Sequence, residues 1–344
     1  MKRNRKKIVI VSLYGIGNAG GVERVNYYLN EILREKYDVR ILQKTRYSLG
    51  KLDILIQPVL MAMRLCLIRN KFVISNSWHS SLYPVDISIH HGTTLGFCKK
   101  THIKFSLGAR WISFWEMISG KMAKKVLCVS ENGKNEIVKL YNVNEKKIYV
   151  LNNFVDENSF YVQRKNRVTQ NVTILFSGRL GVGKGLEDLF RLSNFIEKQN
   201  SDDFVIRIAT NDKGEAEKFK NNKKTEILIG LTKENMLTFY NSGDVLYFPT
   251  LYEGFSMATL ESLSCGIPVV GSSFAIPDEM LEMPFCKRID NSASVEMICK
   301  TIFDLKKEFS EKRDFIHEEI SKKFGRRQYE EKLFALVNSL IDGR

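Results

Sequence analysis

The sequence predicts an α/β protein built from two doubly wound parallel-sheet domains, and three observations carry that expectation. Apolar β-branched runs alternate with helical stretches, this series occurs twice, and the chain is 344 residues long. A chain of this length exceeds what one hydrophobic core ordinarily organises. Strands that alternate with helices rather than with tight turns read as βαβ units and parallel sheets. Hydrophobic residues make up 44% and charged residues 27%, a composition that excludes a disordered chain. Ligands of such sheets lie beyond the carboxyl ends of the strands, so two such domains are expected to face each other across a cleft.

The first series comprises 8-IVIVSL-13, 38-DVRIL-42, 72-FVISN-76, 85-VDISI-89 and 126-VLCVS-130. A polar stretch over 156–171 separates it from 172-VTILFSG-178, 204-FVIRIAT-210, 226-EILIG-230, 244-DVLYFP-249 and 268-PVVGS-272. Residues 293–341 carry helical periodicity throughout. The apolar run 52–68 is interrupted by Asp53, Gln57, Pro58 and Arg64, which suits a buried or surface-lying helix better than a membrane span. The basic residues at 2–7 and the apolar run after them have the outline of a signal peptide. That run is short, β-branched and without a small-residue cleavage site, so it reads as a first strand and a cytoplasmic location is expected.

Composition narrows the chemistry further. The six cysteines form no C-x-x-C pair and no short His/Cys spacing, which argues against zinc and for reduced, buried thiols. Residues 1–150 hold 26 Lys and Arg against 10 Asp and Glu, whereas residues 151–344 hold 27 against 29. Such asymmetry points the first half toward an anionic partner: a membrane surface, a phosphorylated substrate or nucleic acid. No recognised reader motif for nucleic acid occurs, so that partner is not expected.

Gly15, Gly17 and Gly20 fit G-x-G-x-x-G after the first strand and invite a dinucleotide reading. The second strand ends in Gln43 and Lys44 rather than in the acid that would hold a ribose, which counts against NAD. The glycines are left either as a simple strand-to-helix turn or as a loop that lets backbone approach a phosphate.

The segment 247-YFPTLYEGFSMATLESLSCGIPVVGSS-273 carries the functional argument. A strand ends at Pro249, a loop runs to Gly254, and a helix is expected from Phe255 or Ser256 to Gly266. Glu253 then stands at the mouth of the sheet and Glu261 about two turns into the helix. The N–H groups of Phe255, Ser256 and Met257 would be free to meet a diphosphate. A carboxylate such as Glu261 offers two acceptor oxygens to a ribose diol. Upstream, 176-FSGRLGVGKGLEDLF-190 places Arg179 and Lys184 in a glycine-rich loop. Two fixed cations there would stabilise a departing diphosphate, the work Mg²⁺ does elsewhere. No D-x-D pairing for a metal diphosphate site occurs, so no metal or other cofactor is expected.

These stretches resemble the nucleotide-sugar domain of the retaining GT-B glycosyltransferases of family 4, the glycosyl transferases group 1. The E-x7-E pair of that family is matched by Glu253 and Glu261. Its G-R-L…K-G loop is matched by Gly178, Arg179, Leu180, Lys184 and Gly185. The stretch 128-CVSENGKNEIVKLYNVNEKKIYVLNNFVD-156 resembles the family's crossover between domains. The resemblance implies a GT-B fold with an acceptor-binding domain at 1–155, a donor domain at 156–326, and a C-terminal helix at 327–344 packing back on the first. It further implies Arg179 and Lys184 on the donor diphosphate, Glu261 on the ribose and Glu253 by the transferred sugar. Gly254 and the backbone of Phe255, Ser256 and Met257 would line the phosphates, and Leu231 would flank the base. Gly20 and Gly21 resemble the family's glycine loop. His91, directly before Gly92, resembles its active-site histidine, although His90 leaves the register ambiguous by one residue. Ser256 departs from the family's glycine, and 272-SSFAIPDEM-280 lacks the glycine that usually precedes Ile-Pro.

The implied activity is hexosyl transfer (EC 2.4) with retention, from a nucleoside-diphosphate sugar, UDP-sugar favoured, to a glycan or lipid-linked acceptor in cell-surface polysaccharide biosynthesis. A front-face displacement suits Glu253 better than a covalent intermediate does. The basic aromatic stretch 97–125, with Lys99, Lys100, Lys104, Arg110, Trp111, Phe114 and Trp115, reads as a contact for an anionic membrane or as an ordinary amphipathic helix with core aromatics. A sugar-nucleotide epimerase of the same fold and a non-catalytic partner subunit are the rival readings.

Overall fold

The computed structural model describes residues 5–12, 21–43, 53–76, 78–163, 171–199, 202–290 and 292–343. The chain divides into two compact units, residues 1–152 with 330–344, and residues 153–329. Each is built on one six-stranded parallel sheet, and the two are described separately.

In the first unit the strands are β1 (Lys7–Ser12), β2 (Asp38–Gln43), β3 (Lys71–Asn76), β4 (Ile87–His90), β5 (Lys125–Cys128) and β6 (Ile148–Val150). Their order across the sheet is β2-β1-β3-β4-β5-β6. The helices α1 (Gly21–Arg34), α2 (Asp53–Cys66), α3 (Thr94–Thr101), α4 (Leu107–Met122) and α5 (Glu131–Tyr141) connect them. Val9, Val11, Val73 and Val126 meet Met61 and Leu65 of α2 and Ile137 and Tyr141 of α5 in one dry cluster, so α2 and α5 cover the same face of the sheet. Near-continuous apolar strands are what a parallel sheet buried on both faces requires. Within the apolar run, Asp53–Cys66 form a helix, as expected, and among the described residues no helix is long and apolar enough to cross a membrane.

The second unit contains β7 (Val172–Ser177), β8 (Phe204–Thr210), β9 (Thr225–Ile229), β10 (Val245–Phe248), β11 (Val269–Gly271) and β12 (Cys286–Arg288). Its sheet order is β12-β11-β10-β7-β8-β9. The helices are α6 (Leu186–Lys198), α7 (Lys213–Ala216), α8 (Lys233–Asn241), α9 (Met257–Ser264), α10 (Val295–Phe309) and α11 (Arg313–Phe324), and α12 (Arg326–Asp342) closes the chain. The helical periodicity over 293–341 corresponds to the three helices α10, α11 and α12. Gly325 is extended and pairs with Val155 in a β-bridge, which ends α11. The residues of α12 from Glu330 onward belong to the first unit, where Tyr37 donates a 2.6 Å hydrogen bond to Asn338 and its ring meets Phe334.

Candidate functional site

Strand order in the second sheet reverses direction between β7 and β10, and the loops that leave those two strands are the ones singled out in the sequence. That switch point is where an open parallel sheet has room for a ligand. The loop after β7 turns at Gly178 (φ 149°), exposes Arg179, and closes in one 3-10 turn, Val182–Lys184. Gly185 follows in the left-handed region (φ 72°), and a Cβ there would lie 2.2 Å from the Pro249 carbonyl oxygen. Only glycine lets the two loops approach this closely. They are then pinned together, because the Gly183 carbonyl accepts from Leu251 N at 3.0 Å and from Thr250 Oγ1 at 2.9 Å.

This clamp sets the charges. Lys184 and Glu253 form an ion pair across the two loops, both mostly buried, and the Lys184 ammonium also lies 5.5 Å from the Phe248 ring centroid. Arg179 is exposed and makes no ion pair or hydrogen bond among the described residues. Leu180 N donates to Asp212 at 2.7 Å, which fixes the chain just beyond that arginine. The loop after β7 therefore holds one open cation, Arg179, and one neutralised cation, Lys184, whose partner comes from the loop after the adjacent strand β10.

The helix after β10 starts later than the sequence suggests. Ser256 is its N-cap, accepting from Thr259 N at 3.1 Å, so α9 begins at Met257. The helix expected from Phe255 or Ser256 thus begins at Met257, and with Thr259 N taken by the cap the open donors of the first turn are the N–H groups of Ser256, Met257 and Ala258. Phe255 is buried against Phe324, and its carbonyl accepts from Asn153 at 3.1 Å, so its backbone is fixed from behind. Gly254 is half-buried between Glu253 and this cap. Glu261 is 3% exposed and receives a 3.0 Å hydrogen bond from Tyr240 of α8. Leu231 follows Gly230 (φ 70°) just past the end of β9.

In the first unit the direction reverses between β1 and β3. Gly20 and the G-x-G-x-x-G segment lie outside the described residues, and Gly21 opens α1 with open space where a Cβ would project. The two adjacent histidines differ in setting. His90 ends β4 on the same face as Ser88, whose hydroxyl sits 3.1 Å from its Nε2 and 2.8 Å from Ser119 of α4. Its ring is interior, and burial pushes its pKa down to about 4. His91, half-buried, turns instead to Asn76 at the end of β3, with Nε2 2.7 Å from Oδ1. Desolvation lowers it to about 4 as well, so it is neutral at physiological pH. Asn76 is held by Asn26 of α1, and Asn26 by Ser12 of β1, each at 2.7 Å.

Tyr240, Asn153, Asn26 and Asn76 were not found from sequence. Each is a buried residue inside or beside a regular element, and nothing in local spacing sets it apart from a core position.

Residues 158–322 match the family described as Glycosyl transferases group 1, and residues 19–159 match Glycosyltransferase Family 4. The chain is of the GT-B glycosyltransferase, family 4-like type. Both units are accounted for, since the two matches run consecutively from 19 to 322. Among curated proteins it is 28% identical over 217 residues to an uncharacterized glycosyltransferase of Methanocaldococcus jannaschii, covering 59% of this chain and 55% of that one. The chain spans about half the length of the curated relatives it matches. Among solved structures, sucrose-phosphate synthase from Thermosynechococcus elongatus superposes with a TM-score of 0.80 at 14% identity, over 99% of this chain and 100% of that one. Anabaena HepE in complex with UDP-glucose superposes with a TM-score of 0.74 at 13% identity, over 97% and 99%. These two likenesses establish the GT-B fold. The switch-point loops of the group 1 region hold Arg179, Lys184 and Glu253, and Glu261 lies on α9, all inside the matched span.

Proposed function

We propose that this protein transfers a sugar, with retention of anomeric configuration, from a nucleoside-diphosphate sugar bound by its second unit. The observation that carries the reading is the clamp between the two switch-point loops, which pairs Lys184 of the Arg179 loop with Glu253, three residues before the N-cap of α9. A diphosphate is the ligand such a set fits. It would take the open guanidinium, draw the ammonium from Glu253, and accept from the first-turn N–H groups. Glu261, already oriented by Tyr240, has the acceptor capacity for a ribose diol. UDP is the favoured nucleotide, a preference supported by the UDP-glucose held by the structural neighbour HepE.

The cations stabilise the charge that grows on the leaving diphosphate, so we propose that the reaction needs no added metal. Glu253, released from Lys184, supports the sugar as positive charge develops at its anomeric carbon. The departing phosphate oxygen takes the proton of the incoming hydroxyl on the same face, which gives retention without a glycosyl-enzyme. In the first unit, His91 serves as a neutral hydrogen-bonding group for the transfer. The basic surface of that unit, where Leu107 and Phe114 of α4 are exposed beside Arg110, Lys99 and Lys100, receives a lipid-linked or polyanionic acceptor in envelope glycan synthesis.

The test is turnover of UDP-, GDP- and ADP-sugars, with and without chelator, against lipid-linked and free glycans. The anomeric proton coupling of the first-formed product is then read by NMR. One nucleoside diphosphate released in chelator, with the donor's configuration kept, is the expected result. An inverted product would overturn the mechanism, and epimerised donor without transfer would overturn the function.

A further inference from the structure

Four side chains from four elements meet at the switch point of the first sheet. Ser12 is the last residue of β1, Asn76 the last of β3, Asn26 lies on α1, and His91 follows β4 directly. The hydrogen bonds that join them are all 2.7 Å long. Ser12 and Asn26 are 1% exposed and Asn76 is 6% exposed. A buried chain of amides is costly unless every member is satisfied, and it then specifies one arrangement.

The direction of donation follows along the chain. Asn26 gives an N–H to Ser12 and turns its oxygen to Asn76. Asn76 gives its N–H to Asn26 and turns its oxygen to His91. The imidazole meets an acceptor, so its Nε2 carries the proton. Nδ1 is then the bare nitrogen, and it has no partner among the described residues. The nitrogen bonded within the protein thus decides what the other one can offer.

We propose that Asn76 is a positioning residue that locks His91 in its Nε2–H tautomer, leaving Nδ1 free to accept a hydrogen bond from a hydroxyl of the acceptor. This inference rests on the reading that His91 serves the transfer. Asn26 acts one step further back, by denying Asn76 the amide flip that would present an N–H to the ring. Neither asparagine needs to touch a substrate.

The experiment is ¹⁵N–¹H correlation of the histidine rings in the full chain, with His91 identified by its loss in His91→Gln, alongside donor kinetics. The wild type should show an Nε2–H tautomer at His91. Asn76→Ala should show both ring nitrogens at averaged shifts, with kcat reduced about tenfold or more and the donor KM unchanged. Asn76→Asp, which keeps an acceptor oxygen at the same place, should hold the tautomer and restore most of kcat. Unchanged signals from His79, His102 and His317 verify that each variant is folded. An Nδ1–H tautomer in the wild type, or a His91 signal indifferent to Asn76→Ala, would overturn the inference. Full activity in His91→Gln would overturn instead the reading it rests on, whatever the tautomer.

Discussion

Lys184 and Glu253 neutralise each other while Arg179 stands open, so the two cations of the site respond differently to a phosphate. A diphosphate must compete with Glu253 for the ammonium. Glu253→Gln should therefore bind nucleoside diphosphate as tightly as the wild type or more so, while transfer falls about a hundredfold. Calorimetric titration beside turnover checks this, and weakened binding would show that Glu253 holds the nucleotide itself. Arg179, Lys184 and Glu253 stood out in the sequence because they lie in loops at strand ends, where a charge has few structural duties. Tyr240 and Asn76 were not legible. A buried tyrosine in a helix and an asparagine ending a strand have the appearance of core and turn residues until their partners, distant in sequence, are brought to them.

The glycine-rich loop depends on close approach of its backbone to the next loop. Gly185→Ala forces a side chain into the left-handed region and against the Pro249 carbonyl. It should cost about 1–3 kcal/mol of stability and release the loop that carries Lys184. Thermal melting with and without nucleotide reads both losses, and an unchanged melt would mean the loops are not clamped. In the other unit, His90 ordinarily titrates near 6.5 but is pushed down to about 4. The unfolded chain then binds more protons between those values, so stability falls as pH drops from about 6.5 to about 4. The slope is up to about 1.4 kcal/mol per pH unit for this group. Urea melts at pH 7 and 5 should show that loss, and His90→Gln should reduce it. At this scale ten strands were visible as apolar runs. β6 and β12 were missed, β12 because two of its three residues are the cations Lys287 and Arg288. The break between α10 and α11 was hidden for a different reason: helical periodicity continues across 310–312 without glycine or proline.

Across the whole molecule, charge is distributed so that residues 1–150 carry the excess of Lys and Arg. Trp111, Phe114 and Trp115 form an aromatic group on α4, with Phe114 exposed and the two tryptophans half-buried, so the helix serves core and surface together. Flotation with anionic vesicles should exceed that with neutral ones, and Phe114→Ser with Lys104→Ser should reduce it. Equal flotation with both lipids would assign the charge to the acceptor alone. The fold class was legible because two series of alternating strands and helices allow few other assemblies. The proposed activity requires that the second unit bind a nucleoside diphosphate through its switch-point loops. Calorimetric titration of UDP, GDP and ADP into the wild type, Arg179→Ala and Glu261→Ala in chelator tests it most directly. Binding of one nucleotide, weakened about tenfold or more by either substitution, is the expected result. Binding that ignores both substitutions, or none by any nucleotide, would contradict it.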